Sequence, residues 1–164
     1  MFLMKVCCQK KLQQEKFLDL RRKKLSEWLI ANSEEEVDEE KVKKFKRLVE
    51  KVKENNPVQY IVEKQNFMWY DFYVNSDVLI PRYDAETLVL EAVKRIERSE
   101  EAGKENYRVL DIGTGSGAII ISVAKLCSKI KNIEYTGTDV SQKALGVAKI
   151  NAKNNHVNVD FVES

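Results

Sequence analysis

Cysteine is scarce and badly spaced. Cys7, Cys8 and Cys127 form no C-x-x-C pair, their number is odd, and none stands at ligand spacing to His156, the single histidine. Neither a zinc site nor a disulfide framework follows, and reduced thiols in a cytoplasmic protein are expected. Long hydrophobic runs are also missing. Nothing approaches the roughly 18 apolar residues of a membrane span. The apolar start, Met1 to Cys8, is too short for a secretory signal and runs into Lys10 and Lys11 with no cleavage pattern. Charge of one sign is lacking too. Lys and Arg number 28 against 26 Asp and Glu, a net charge of +2, so no strong nucleic-acid signal exists. There is no internal repeat and no low-complexity tract.

What is present fits a globular chain of one medium or two small domains: 164 residues, 43% hydrophobic and 33% charged. The charge is uneven. Up to Asn56 there are 15 Lys/Arg against 11 Asp/Glu, and beyond it 13 against 15. The basic N-terminal part reads as a solvated helical surface, with a nucleic-acid-rich partner as the alternative.

Three pieces are legible, with domain boundaries at 1–56, 57–82 and 83–164. The first is Lys/Glu-rich and helical in pattern. Leu18, Leu25, Trp28 and Leu29 share one helical face, Ser33 with Glu36 forms a candidate capping box, and Val42, Phe45, Leu48, Val49 and Val52 make a second stripe. Asn55-Asn56-Pro57 ends that helix. The stripes predict the core of a small helical bundle, with a partner-binding face as the alternative. Residues 57–82 turn aromatic and β-branched, in Gln59–Val62, Phe67–Tyr70 and Asp71–Val74, with turn signals at Gln65-Asn66 and Asn75-Ser76. This reads as a β-hairpin.

From residue 83 onward helix and strand alternate. Asp84 is a candidate cap for a helix striped by Leu88, Val89, Ala92, Val93 and Ile96. Then follow strand 108–112, helix 116–128, strand 133–139, helix 141–154 with Ser141 as N-cap, and strand 157–162. The fold class is therefore α/β, an open parallel sheet of Rossmann type. The sheet is incomplete: three strands are present where about five or more are usual, leaving Val157–Val162 without later neighbours.

The most informative stretch is Val109-Leu110-Asp111-Ile112-Gly113-Thr114-Gly115-Ser116-Gly117. A buried strand runs into a glycine turn and then an apolar helix, which makes a nucleotide-type binding corner. Glycines let an adenosine-bearing cofactor lie against main-chain N–H groups. Gly113, Gly115 and Ala118 fit the G-x-G-x-x-A spacing for NAD or FAD, with Asp139 at a strand end to hold ribose hydroxyls. Asp111 argues for a different ligand. An acid two residues before the first glycine is unfavourable to a pyrophosphate and suits a cofactor that carries an ammonium and a sulfonium, S-adenosylmethionine. A helix also precedes the first strand, whereas the dinucleotide fold normally opens with that strand. The bland readings are a plain tight turn for the glycines, a helix cap for Asp139, and a carboxylate bonded to its own turn for Asp111. His156 in a polar turn reads as a surface residue, and no metal site is expected.

Several segments in order resemble one methyltransferase family. They are Pro57-Val58-Gln59-Tyr60-Ile61, Phe67, Phe72, Val74, Val78-Leu79-Ile80-Pro81-Arg82 and Glu86, then the glycine stretch through Ile119, Asp139-Val140-Ser141, Ala144-Leu145 and Asn151-Ala152. The chain resembles the HemK/PrmC enzymes, which methylate a glutamine side-chain amide in peptide chain release factors. The resemblance implies a class I methyltransferase sheet, S-adenosylmethionine as cofactor, and a release factor as protein partner. It also implies an N-terminal helical domain that helps hold that partner. It assigns cofactor contacts to Gly113, Thr114, Gly115, Ser116, Gly117 and Asp139, with Asp139 on the ribose and Ile80–Glu86 beside the pocket; the charge argument adds Asp111.

The departures are specific. The family's P-R-P-x-T-E becomes Pro81-Arg82-Tyr83-Asp84-Ala85-Glu86, and Glu63 and Trp69 stand where the family has glycines. The family's Asn-Pro-Pro-Tyr, whose Asn and a backbone carbonyl aim the glutamine nitrogen, is not in the sequence, so no catalytic residue is assigned. The expectation is an N-terminal piece of such an enzyme. The alternatives are a non-catalytic binding remnant or, from the G-x-G-x-x-A spacing, an NAD-linked oxidoreductase.

Overall fold

The computed structural model of the chain describes Glu27, Ile30, Ala31 and residues 36–103 and 105–164. The chain divides into two compact units, Met1–Leu48 and Val49–Ser164. Leu18, Leu25, Trp28, Leu29 and Ser33 lie outside the described residues.

Helix α1 (Glu39–Lys53) follows the expected stripe. Its start is fixed by Asp38, whose Oδ1 accepts the Glu40 N–H at 2.8 Å. Its stripe is only half covered: Val42, Leu48 and Val49 are intermediate, while Phe45 and Val52 are exposed. The helix ends as Asn55-Asn56-Pro57 predicts. Asn55 turns left-handed at φ 62°. Its N–H reaches Val52 O at 3.0 Å and that of Asn56 reaches Lys51 O at 3.2 Å, a Schellman closure.

The hairpin exists, but its register differs from the sequence reading. Gln59–Val62 is not a strand, because Val58–Ile61 forms a single helical turn, α2, directly after Pro57. The strands are β1 (Lys64–Phe67) and β2 (Tyr70–Tyr73), paired antiparallel with Phe67 opposite Tyr70. Gln65-Asn66 is therefore strand, and the turn is Met68-Trp69, both left-handed at φ 47° and 67°. Two such residues make a tight hairpin connection that normally takes Asn or Gly. Here tertiary contacts override that preference: Met68 is fully buried, and its N–H is accepted by Glu86 Oε1 at 3.1 Å. Asn75-Ser76 is a turn as expected, with Asn75 Oδ1 accepting the Asp77 N–H at 3.0 Å.

Asp84 does not cap a helix. It sits inside the 3-10 turn Tyr83–Ala85, and α3 (Glu86–Glu101) begins behind it without a side-chain cap. Val89, Val93 and Ile96 are buried as predicted, but Leu88 faces solvent at 57% exposure.

The remaining elements are β3 (Tyr107–Ile112), α4 (Ala118–Leu126), β4 (Ile133–Asp139), α5 (Gln142–Asn154) and β5 (Asp160–Glu163). The three strands form a parallel sheet in the order β3-β4-β5. Ser141 caps α5, its Oγ accepting the Ala144 N–H at 3.2 Å. His156 closes the far end of that helix as the left-handed residue at φ 54°, with Val157 N–H bonding Ala152 O. It is exposed and structural.

One face of the sheet, carrying Val109, Tyr135 and Phe161, joins α3, α4 and the hairpin's Phe67 and Phe72 in one core. These two phenylalanines meet edge to face at 6.1 Å. The opposite face is bare: Leu110, Ile112 and Val162 are each more than half exposed. Both outer strands have one unpaired edge among the described residues: β5, as expected of the last strand, and β3 on the other side of β4. None of the described helices is long and apolar enough to cross a membrane.

Candidate functional site

The structure brings the predicted corner together at the C-terminal ends of β3 and β4. Past Ile112 the chain turns through three left-handed glycines, Gly113, Gly115 and Gly117, at φ 72°, 54° and 76°. They have different tasks. A side chain at Gly117 would lie 2.8 Å from Ile121 Cδ1 and 3.2 Å from Ala148 Cβ, so glycine there lets α4 and α5 approach. At Gly113 and Gly115 an added Cβ would meet nothing within 4 Å. Those two present bare backbone to open space, which is the arrangement a bound ligand needs.

Both predicted carboxylates close the loop. Asp111 Oδ2 accepts the Thr114 hydroxyl at 2.8 Å. Asp139 Oδ2 accepts the Gly115 N–H at 2.9 Å, and its Oδ1 accepts the Ser141 N–H at 3.0 Å. Each Asp139 oxygen keeps a second lone pair for a hydroxyl group. Asp139 thus ties the two strand ends together, and it also steadies the start of α5 as the cap reading anticipated. Burial pushes the Asp111 carboxyl above its usual range. The Thr114 hydroxyl and Ile120 backbone pull it down, and the charge of Asp139 pushes it up again. A cation entering the corner would favour the carboxylate and so oppose both upward influences.

Thr114 and Ser116 are themselves buried. Gly113–Ser116, with Ala118 and Ile119, form one wall of a cavity of about 180 Å³; Phe67, the Leu79–Arg82 segment and Ala85 form the other. The second wall is held by Tyr60, Glu86 and Asn151, of which only Glu86 was expected near the pocket. The Tyr60 hydroxyl donates to Val78 O at 2.6 Å, anchoring the segment that leads to Pro81. Glu86 holds the hairpin turn through Met68. Asn151, fully buried, bonds the backbone of both Tyr73 and Ser116. The presence of these residues in an ordered family pattern was the available signal; their partners were not readable.

Cys127 is buried away from this corner, and burial with the charges of Glu97 and Glu100 pushes its thiol up to about 12. It is inert as a nucleophile.

Comparison with known proteins gives two family matches, a PrmC N-terminal domain over residues 15–62 and a methyltransferase domain over residues 103–164. The latter decides against the dinucleotide reading of Gly113, Gly115 and Ala118. Among curated proteins, the chain is similar to the release factor glutamine methyltransferase of Bacillus cereus. The two are 42% identical over 125 residues, covering 76% of this chain and 42% of that protein. The Bacillus subtilis protein of the same name is 38% identical over 135 residues, covering 82% and 46%. The chain spans less than half the length of these relatives. Among solved structures, the Pyrococcus abyssi tRNA (uracil-54, C5)-methyltransferase in complex with S-adenosyl-L-homocysteine is 21% identical. It overlays with a TM-score of 0.46 over 62% of this chain and 23% of that one.

Proposed function

Because this chain belongs to the PrmC/HemK family of release factor glutamine methyltransferases, we propose that it forms the cofactor-binding part of an S-adenosylmethionine-dependent enzyme. That enzyme's substrate is the side-chain amide of a release-factor glutamine. The observation that carries the proposal is the pair of carboxylate closures on the glycine loop, Asp111 to Thr114 and Asp139 to Gly115, beside a largely apolar cavity. S-adenosylmethionine supplies a methyl group on a positively charged sulfur. In this reading Asp111 gives that charge an acidic surrounding, and Asp139 offers its free lone pairs to the ribose hydroxyls. Gly113 and Gly115 let the ligand lie on the main chain, and Thr114, Ser116 and Gly117 hold the loop's shape.

The residues that aim the glutamine nitrogen in the family are those of Asn-Pro-Pro-Tyr, which this sequence does not contain. Cofactor capture is the part of the reaction assigned to the residues present. Residues 1–56 are assigned to the protein partner, 57–82 to the connecting hairpin and 83–164 to the cofactor. Direct contact with nucleic acid or membrane is not part of the proposal, and the cytoplasm, where translation terminates, is the proposed location.

Calorimetry tests the first step. Saturable binding of S-adenosylmethionine and S-adenosylhomocysteine, with no binding of NADH, is expected; no heat with either sulfur compound rejects the assignment. The substrate is tested with a chimera that continues this chain with the remaining residues of the Bacillus cereus relative. Labelled methyl should appear on the glutamine of a release factor's Gly-Gly-Gln loop. An unlabelled release factor would favour the second reading, a binding remnant without catalysis.

A further inference from the structure

We propose that Asn151 is the positioning residue of the cofactor pocket: one side-chain amide locks the hairpin to the glycine loop and so fixes the separation of the two cavity walls. The inference rests on the cofactor reading of that cavity. Asn151 stands on α5 with no solvent exposure. Its Oδ1 accepts the Tyr73 N–H at 2.7 Å, and its Nδ2 donates to Tyr73 O and to Ser116 O, both at 2.9 Å. Both donors and the acceptor are therefore in use.

The three bonded groups belong to two different walls. Ser116 lies between Gly115 and Gly117 in the loop that lines the cavity. Tyr73 ends β2, and β2 pairs residue by residue with β1, whose last member Phe67 lines the cavity from the other side. Loop, Asn151, β2, β1 and Phe67 thus form a continuous mechanical path. Only an amide of this length supplies one acceptor and two donors at that place. A carboxylate would lack the donors and set a charge against two carbonyl oxygens, and an apolar side chain would leave three backbone groups unpaired.

Asn155, one helical turn further on α5, is a built-in control. Its Nδ2 donates to Asp71 O at 3.2 Å and to Asn151 O at 3.0 Å. It grips the hairpin and has no bond to the loop.

The experiment compares Asn151→Ala, Asn151→Asp and Asn155→Ala in the 164-residue chain. Hydrogen exchange is followed by NMR at Tyr73 and Gly117, alongside titration with S-adenosylhomocysteine. Asn151→Ala should speed exchange at both amides and weaken binding by about tenfold, the scale of an unpaired buried group. Asn155→Ala should change Gly117 exchange and binding by less than about twofold while still loosening the hairpin. Asn151→Asp should recover part of its Gly117 protection as the pH falls and its carboxyl regains a donor. This comparison decides the matter if the alanine variant does not fold. Equal effects of the two alanine variants on Gly117, or an aspartate variant indifferent to pH, would overturn the proposal. A wild-type chain that binds no S-adenosylhomocysteine would reject the cofactor reading, while the exchange data would still decide whether the lock exists.

Discussion

Asp139 accepts the backbone N–H of Gly115 at 2.9 Å, although Asp139 ends β4 and Gly115 lies in the loop that follows β3. The bond closes the glycine loop of β3 with the tip of β4, so the corner is a ring of contacts around the main chain. Asp139→Ala opens it. Hydrogen bonds to a charged acceptor contribute roughly 1.5–3 kcal/mol, so the variant should lose about 2 kcal/mol in urea unfolding. Its affinity for S-adenosylhomocysteine should fall by about tenfold, measured by calorimetry.

Asp111 predicts a pH dependence with a definite sign. Burial raises its folded-state value above that of the unfolded chain. Between those two values the folded chain holds a proton that the unfolded chain has released. Stability contributed by this group is therefore full below the ordinary carboxylate range and is lost as pH rises through the raised value. Asp111→Asn should remove that component of the slope in unfolding experiments across the acidic range. A cationic ligand favours the carboxylate, so binding in the same window should release protons. Calorimetry in two buffers of different ionisation enthalpy checks this.

The glycines should separate stability from binding. Gly117→Ala meets Ile121 and Ala148 and a left-handed backbone, which together cost about 3 kcal/mol. Gly115→Ala has open space around it, so its backbone strain costs about 1 kcal/mol. Its methyl group would instead occupy the ligand's side of the loop. Thermal unfolding should show the larger effect at Gly117, and ligand titration should show a loss at Gly115 out of proportion to its stability cost.

Glu63 is exposed and left-handed at φ 53°. Glu63→Gly should stabilise the chain by about 0.5–1 kcal/mol, the relief of strain net of glycine's greater chain entropy. Chemical denaturation with an unchanged slope is the check. A fall in stability would show that the Glu63 side chain contributes more than its backbone costs.

Cys127 supplies a labelling test. A buried thiol raised to about 12 should resist iodoacetamide at mildly alkaline pH in the native chain and react once urea unfolds it, as peptide mapping would show.

The parallel part of the fold was legible because its signals are redundant, except at its last strand, where 157–162 was expected and the pairing covers only Asp160–Glu163. Strand 133–139 matches Ile133–Asp139 residue for residue, and Ser141 caps the following helix because an apolar period and a cap agree. The glycine loop and both carboxylates were legible for the same reason: spacing, residue type and topology coincide. The hairpin was misread where a local rule lost to tertiary contacts. Met68-Trp69 has no turn composition, and what holds it left-handed is burial of Met68 and a bond from Glu86, 18 residues away. Asp84 failed as a cap because a short 3-10 turn carries the chain into α3. The work of Asn151 could not be read at all, since its partners are 35 and 78 residues distant in sequence.

The bare side of the sheet makes concentration a variable for this molecule. Leu110, Ile112 and Val162 are exposed on one side of the sheet, and the rim of β3, unpaired among the described residues, offers a row of backbone donors and acceptors to whatever strand drifts past. Stacking of the isolated chain should therefore rise with concentration, which light scattering across a dilution series checks. A single Leu110→Lys exchange, remote from the glycine loop, is the simplest way to keep the sheets apart.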